Sequence, residues 1–396
     1  MVKNNLIVTV PSFFKCPISL DVMKSPVSLC TGVTYDRASI QTWLDNGNNT
    51  CPATMQPLQT KDLIPNSTLQ RLILSWKSHP HQLALKLLAN LRQISPSKTP
   101  TTVIVDSLYQ ISDFLLRSEK EDRQFLINAG CAKAVLGLIS DRLEEAEAVV
   151  SVLCLILSEN RDALKSLDLN RLPAMLVLVL EKGSLESRID SARVLEALVL
   201  VDDDESTGSF RSVAEKEGVL AELFRLMSSE ADPRGVDAGL ACLIAVAARR
   251  KMRSQIVQLG IIPVLAKLLL GPSDSAVVEK ALKMLERAST CADGRMAICS
   301  DPDCIQAVVQ RMLKVSSAGT ERAVVVLWSL CHLFRDQKAQ DAVIQTNGLT
   351  KILLLMQSDC SPSVRQMARD LVKIFRVNSK SCLSGYDTKT THIMPF

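Results

Sequence analysis

Leu259-Gly260-Ile261-Ile262-Pro263-Val264-Leu265-Ala266-Lys267-Leu268-Leu269-Leu270 decides how the rest of this chain is read. A glycine precedes a run whose apolar residues recur at three and four, which predicts an amphipathic helix entered through a sharp turn. The same text returns along the chain. Asn128, Ala129 and Gly130 precede Ala134, Val135, Leu136, Leu138 and Ile139. Glu217 and Gly218 precede Val219, Leu220, Leu223, Leu226 and Met227, and Asn347 and Gly348 precede Leu349, Ile352, Leu353, Leu355 and Met356. Degenerate copies stand at Asn170-Arg171-Leu172-Pro173 and Asp303-Cys304-Ile305. The anchors at 130, 171, 218, 260, 304 and 348 lie 41 to 47 residues apart. A second helix is predicted after each, over 145–157, 187–200, 236–247, 277–288, 321–334 and 364–375, with Ala192, Leu195 and Val199 showing the helical spacing. No such helix pair buries its apolar stripe alone. A stack of them does, so the chain reads as mostly α, a solenoid of repeats.

Toward the N-terminus the character changes near residues 80–100. The first 80 residues carry Pro11, Pro17, Pro26, Pro52, Pro57, Pro65 and Pro80, two of the three Trp, and short segments. Ser95-Pro96-Ser97-Lys98-Thr99-Pro100 reads as a connector, because Ser and Pro favour turns. Asp36 is placed to cap a short helix on which Ile40, Trp43 and Leu44 share a face. Asn66 is placed to cap a second, with Leu69, Leu72 and Ile73 on one side. Asp202 to Gly208, with four consecutive acidic residues, reads as a mobile acidic insertion between repeats.

Composition bounds the function. A chain of 396 residues with 47% hydrophobic and 22% charged residues suits a globular protein with a sizeable core. Aromatics are only 4%, which favours helices over sheets. A net charge of +4 gives no compositional case for nucleic acid. The twelve Cys form no CxxC and His occurs only at 79, 81, 332 and 392, which excludes a paired-thiolate zinc site of ordinary spacing. Scattered Cys such as Cys154 and Cys242 read as core residues in a reducing compartment. The apolar run from Leu172 to Leu180 is too short for a membrane span, and Leu6-Ile7-Val8 is too short for a signal peptide. A cytoplasmic location is expected, with the nucleus and membrane surfaces left open.

Two resemblances follow. Through the Gly, the Leu-rich helix and the Ala-rich helix after it, residues 84–376 resemble armadillo repeats, leaving 377–396 as a tail. Residues 9–83 resemble the U-box, a small α+β domain. The match lies in Phe14-Lys15-Cys16-Pro17-Ile18-Ser19, Thr34-Tyr35-Asp36-Arg37, Trp43-Leu44, Cys51-Pro52 and Leu63-Ile64-Pro65-Asn66. The order of the two is similar to that of plant U-box ubiquitin ligases. The resemblance implies a RING-like, zinc-free cross-brace held by hydrogen bonds and ion pairs. Residues 9–83 agree, offering only Cys16, Cys30, Cys51 and His79 against the eight ligands two zincs need.

The resemblance also implies a site and an activity. A shallow groove binds a ubiquitin-conjugating enzyme through Ile18 and Leu20 in the first loop, Trp43 in the helix and Pro52 in the second loop. Ubiquitin passes from the enzyme's thioester to a substrate Lys by proximity, without a nucleophile or cofactor of the ligase, while the repeats recruit the protein substrate. Many related domains carry a basic residue after the second loop; Met55 stands there, followed by Gln56. Plant stress or defence signalling is the expected context, and self-association as a homodimer is left open.

Other readings stand beside these. Trp43 fits a core filler as well as a contact, and Leu20 reads by type as core. Cys16 and Cys51 have no His nearby in sequence to make either a nucleophile. Arg249-Arg250-Lys251-Met252-Arg253 fits a helix end where cations complement the dipole, rather than a nucleic-acid patch. Cys331-His332 reads as structural. A non-catalytic scaffold or inactive U-box adaptor is the competing function. An import receptor is disfavoured, because the repeats hold one Trp, Trp328, and His332 stands where an Asn is expected.

Overall fold

The computed structural model describes residues 11–383 apart from 97, 165–166, 202–213, 215–216 and 229–231. The acidic stretch 202–208 therefore lies outside the described residues. The chain divides into two compact units, Met1–Leu138 and Ile139–Phe396.

The first unit begins with a 3-10 turn, Ser12–Phe14, and a three-stranded sheet. Strand β1 (Pro26–Ser28) lies between β2 (Thr34–Asp36) and β3 (Ile64–Pro65), antiparallel to both. Val27 pairs with Tyr35 on one side and Pro65 on the other. Helix α1 (Arg37–Asp45) follows β2 directly. Phe14, Cys16, Met23, Val27, Leu29, Tyr35, Ile40, Leu44, Cys51 and Ile73 form the core, with Trp43 partly buried against it.

Ile73 belongs to α2 (Ser67–Gln93), a 27-residue helix that includes Pro80. Its second half buries Ala84, Leu88 and Leu91 and packs against α3 (Thr101–Arg117), α4 (Lys120–Asn128) and α5 (Cys131–Leu136). The change of sequence character at residue 83 thus falls within one continuous helix. The helix stops at Gln93, ahead of the Ser-Pro connector. Arg92 donates from Nη2 to the Ala129 carbonyl at 2.8 Å, satisfying a carbonyl at the end of α4.

The second unit is helical throughout its described elements. It runs α6 (Leu143–Glu159), α7 (Leu172–Lys182), α8 (Leu185–Val201), α9 (Glu217–Ser228) and α10 (Pro233–Val246). Then come α11 (Arg250–Gln258), α12 (Ile261–Leu270), α13 (Ser275–Ser289), α14 (Ala292–Ser300), α15 (Cys304–Arg311) and α16 (Ser317–Trp328). It closes with α17 (Gln337–Gln345), α18 (Gly348–Gln357) and α19 (Pro362–Leu383). From α11 onward the elements come in threes. The last helix of each group packs against the last helix of the next, so α6, α8, α10, α13, α16 and α19 lie side by side in chain order. Ala192, Leu195 and Val199 are buried in α8, as their spacing requires.

The structure departs from the sequence reading in three places here. Gly130 and Gly260 adopt φ of 94° and 85°, the left-handed turn expected between helices. At the last repeat the left-handed residue is instead Asn347, and Gly218 has no positive φ and lies in the first turn of α9. The helix predicted over 321–334 is broken: α16 ends at Trp328 and gives way to a π turn, Ser329–Leu333. The basic run at 249–253 opens α11 rather than closing a helix. Arg253 nonetheless serves the preceding helix, donating from Nε and Nη2 to the Ala247 and Ala248 carbonyls at 2.9 and 3.0 Å. The cation reaches backward to the carbonyls of a C-terminus it does not belong to in sequence.

Candidate functional site

The two loops of the small domain are the same structure built twice. In the first, the Cys16 N–H donates to the Asp21 carbonyl at 2.8 Å and the Leu20 N–H to the Cys16 carbonyl at 2.8 Å. In the second, the Cys51 N–H donates to the Gln56 carbonyl at 2.9 Å and the Met55 N–H to the Cys51 carbonyl at 2.8 Å. Each loop is closed by a single β-bridge, Lys15 to Val22 and Thr50 to Pro57. Each begins Cys-Pro and turns through a left-handed residue four positions after the Cys, Leu20 at φ 63° and Met55 at φ 59°. Holding a non-glycine residue in that region costs about 1–2 kcal/mol, so both turns store strain that their hydrogen bonds offset.

One strand ties these loops to the rest. Thr34, Tyr35 and Asp36 are consecutive, and each reaches a different segment. Thr34 Oγ1 lies 2.8 Å from Ser28 Oγ and accepts from Asn66 Nδ2 at 3.3 Å. Tyr35 Oη lies 2.9 Å from Cys51 Sγ and accepts from the Ala53 N–H at 3.0 Å, within the second loop. The Asp36 N–H donates to Cys16 Sγ at 3.3 Å, at the base of the first loop. The Asp36 carboxylate accepts from the Lys24 and Ser25 N–H groups at 2.7 and 2.8 Å. It does not cap α1, where the sequence placed it; its Oδ1 is turned instead to the two N–H groups before β1. Asn66 does cap α2, accepting from the Leu69 N–H at 3.0 Å.

The thiols are held as acceptors. Burial pushes Cys51 up, but hydrogen bonds from Thr31, Thr54 and Tyr35 more than offset it and bring the thiol down to about 6. Cys16 is also lowered, burial being outweighed by hydrogen bonds from Ser19, Asp36 and Ile18. Burial and the Cys51 hydrogen bond push the Tyr35 phenol up, so Tyr35 stays protonated and donates. A low thiol pKa is one requirement of a nucleophile; access is the other. Both sulfurs belong to fully buried residues and are engaged by donors, so access decides and neither is placed to attack. Among the described residues no three His, Cys, Asp or Glu side chains converge to hold a metal ion.

The four residues singled out from sequence fall on this frame. Ile18 is 37% exposed and Leu20 71% exposed, so Leu20 is a surface residue and not the core residue its type favours. Pro52 and Trp43 are half-buried. Trp43 packs on the core with its indole body and donates from Nε1 to the Thr50 carbonyl at 2.9 Å, which fixes α1 to the second loop. Tyr35 and Thr31 were not among the candidates, and Met55 was singled out only as the place where related domains carry a basic residue. The signal that finds Met55 is the repeated spacing, Cys-Pro followed by a large apolar residue at the same distance in both loops.

On the repeat unit the shared face of the third helices is mixed in charge. Lys280 and Asp237 pair at 2.5 Å between α13 and α10. Burial raises the carboxyls of Asp190 and Glu196 on α8. Trp328 stacks on His332 with ring centres 5.3 Å apart, across the π turn. Cys331 is buried, and Gln340 Nε2 donates to its backbone carbonyl at 3.0 Å.

Paired loops bridged by a helix, followed by stacked three-helix groups, define the class of a U-box domain joined to armadillo repeats. The family model of the U-box domain matches residues 10–82, and that of the plant U-box protein ARM repeat region matches residues 88–393. The chain belongs to the plant U-box protein family. It is 45% identical to U-box domain-containing protein 28 and 41% identical to U-box domain-containing protein 29, both of Arabidopsis thaliana, with 98% of each chain covered in both cases. It is 27% identical to the Arabidopsis thaliana E3 ubiquitin-protein ligase PUB23 over 93% of both chains. Among solved structures a designed armadillo repeat protein matches with a TM-score of 0.50 at 15% identity, covering 62% of this chain and 99% of that one, a likeness of fold.

Proposed function

We propose that this protein is a ubiquitin-protein ligase that binds a ubiquitin-charged conjugating enzyme through the two loops and α1 and recruits a protein substrate through the repeats. The observation that carries the reading is the shared anchorage of the loops. Adjacent residues of β2 hold one loop each, through Asp36 to Cys16 and Tyr35 to Cys51, and Trp43 fixes the helix between them. Ile18, Leu20, Trp43 and Pro52 are the contact residues of this reading, on a rigid frame whose own sulfurs are buried.

The chemistry belongs to the bound pair. The substrate Lys amine attacks the thioester carbonyl, the C–S bond breaks, the conjugating enzyme keeps its thiolate, and an isopeptide bond forms. The ligase supplies proximity and orientation, which raise the effective concentration of the amine at the thioester. The stacked third helices, which carry the Lys280–Asp237 pair and the half-buried Asp190 and Glu196, provide the substrate surface.

Ile18→Ala tests the reading. Removing a central apolar anchor costs about 1–3 kcal/mol, or roughly ten- to a hundredfold in affinity. Autoubiquitination should fall accordingly while the melting temperature stays within about a degree of wild type, because Ile18 is partly exposed. Undiminished autoubiquitination would reject the contact.

A further inference from the structure

We propose that the shared face of the third helices takes an extended polypeptide segment of divided charge, its basic residues over α6 and α8 and its acidic residues over α13 and α19. The inference names a class of substrate segment for the recruiting surface and rests on that reading.

Its basis is the order of charges along the face. The ion pairs between successive third helices, Glu186 to Arg234, Asp237 to Lys280 and Glu286 to Arg322, show that these side chains share one side of the stack. At the start of the face, α6 carries Glu144 and Glu147 outside the core and no Lys or Arg. On α8, Asp190 and Glu196 are half-buried. Burial raises both carboxyls, like charges at Glu186 and Asp237 add to it, and Arg193, which faces both, does not bring them back. The sign changes where α10 meets α13, at the Asp237–Lys280 pair.

Beyond that pair the face is basic. Lys280, Lys283 and Arg287 recur at three and four on the uncovered side of α13, and Arg369, Lys373 and Arg376 do so on α19. The acids of this half are answered locally, Glu286 by Arg322 and Asp370 by Lys373 at 3.3 Å. Asp370 is lowered, burial being outweighed by Lys373, His332 and Trp328, which is the reverse of Asp190 and Glu196. Glu279 and Glu321 remain and do not reverse the sign. A uniformly basic partner is repelled at one end of such a face and a nucleic acid at the other, whereas a segment with the two signs in blocks complements both. Packed helices lie about 9 Å apart, so about 14 residues of extended chain cross the face.

The test uses the full chain and labelled peptides of about that length. One has Lys at one end, Gly and Ser between, and Glu at the other; a second has the same composition with Lys and Glu alternating; a third is all Lys. By fluorescence anisotropy at low salt the block peptide should bind about tenfold more tightly than the alternating one, the preference shrinking as salt is raised. Asp190→Asn with Glu196→Gln should weaken the block peptide by about threefold or more. Lys283→Glu with Arg287→Glu should weaken it likewise and also strengthen binding of the all-Lys peptide, a gain that a damaged fold does not produce. Equal binding of the block and alternating peptides overturns the inference, as does a Lys283→Glu, Arg287→Glu variant that gains nothing for the all-Lys peptide. Autoubiquitination with a recombinant plant ubiquitin-conjugating enzyme is read in parallel. Its presence beside equal peptide binding overturns this inference alone, and its absence counts against the ligase reading while the peptide comparison still decides the inference.

Discussion

In the small domain Thr34, Tyr35 and Asp36 direct their polar atoms to the first strand and the entry of α2, to the second loop, and to the first loop and the Lys24–Ser25 turn. In the repeat unit a residue such as Ser316 caps only its own helix, accepting from the Gly319 N–H at 3.2 Å. The interior around it is apolar stripe against apolar stripe. In the small domain long-range polar contacts converge on one strand; in the repeat unit extensive apolar packing dominates, and polar contacts such as Lys280–Asp237 and Arg311 to the Gly271 carbonyl are spread one by one between neighbouring repeats. The difference follows from size and topology. A domain of about 70 residues buries too little apolar surface to fix its loops by packing alone, whereas each added repeat extends the buried core.

The largest expected effect tests the apolar side. Leu195 is fully buried in α8, and Leu195→Ala should cost about 2–5 kcal/mol through lost transfer energy and the cavity left behind. Because repeats are coupled mainly to their neighbours, hydrogen-exchange protection should fall in α8 and the helices it packs on, α6, α7 and α10. Affinity for the conjugating enzyme should not change. Loss of that affinity would break the contrast between the two regions.

The contrast also explains what could be read in advance. Apolar period is a property of neighbouring residues, so 277–288 was legible and is observed as Ser275–Ser289. Gly260 was legible because a turn between helices needs a left-handed residue. The hub at Thr34-Tyr35-Asp36 was visible as a motif, but its partners lie 11 to 20 residues away for Asp36 and 16 for the Tyr35–Cys51 contact, with no periodic signature. Asp36 shows the cost: a good local cap in sequence, it is claimed by two N–H groups of an earlier turn. At Leu20 hydrophobicity predicted burial, whereas the backbone turn carries the side chain outward.

A smaller effect lies on the polar side. Cys51 titrates at about 6 when folded against an ordinary value of 9.0, so folding at neutral pH releases its proton. A group lowered by folding stabilises fully above its unfolded value and loses that contribution as pH falls through its folded one. The melting temperature should therefore rise between pH 6 and pH 9 by several degrees, and Cys51→Ser should flatten that rise. The measurement is the difference between wild type and variant across the series, which cancels groups that titrate in both. An unchanged slope in Cys51→Ser would show that the thiolate is not part of what holds the second loop.

The smallest effect sharpens the comparison most, because it asks the same question of both regions. Asn66 and Ser316 are both N-caps, and Asn and Ser rank alike there. Ser316→Asn should then lie within about 0.5 kcal/mol of wild type, since the cap to the Gly319 N–H survives. Asn66→Ser keeps a cap acceptor for Leu69 but loses the Nδ2 donor, which reaches Ser28 Oγ at 3.4 Å and Thr34 Oγ1 at 3.3 Å. These are long bonds, so the cost is set at the lower end for a hydrogen bond, about 0.5–1 kcal/mol. Chemical denaturation of each variant, followed by protection of residues 24–36 and of α16, measures both. Equal, near-zero costs would mean that Asn66 is only a cap, and that the polar hub ends at Tyr35 and Asp36. A cost confined to Asn66→Ser places the start of α2 within the same network that holds the two loops.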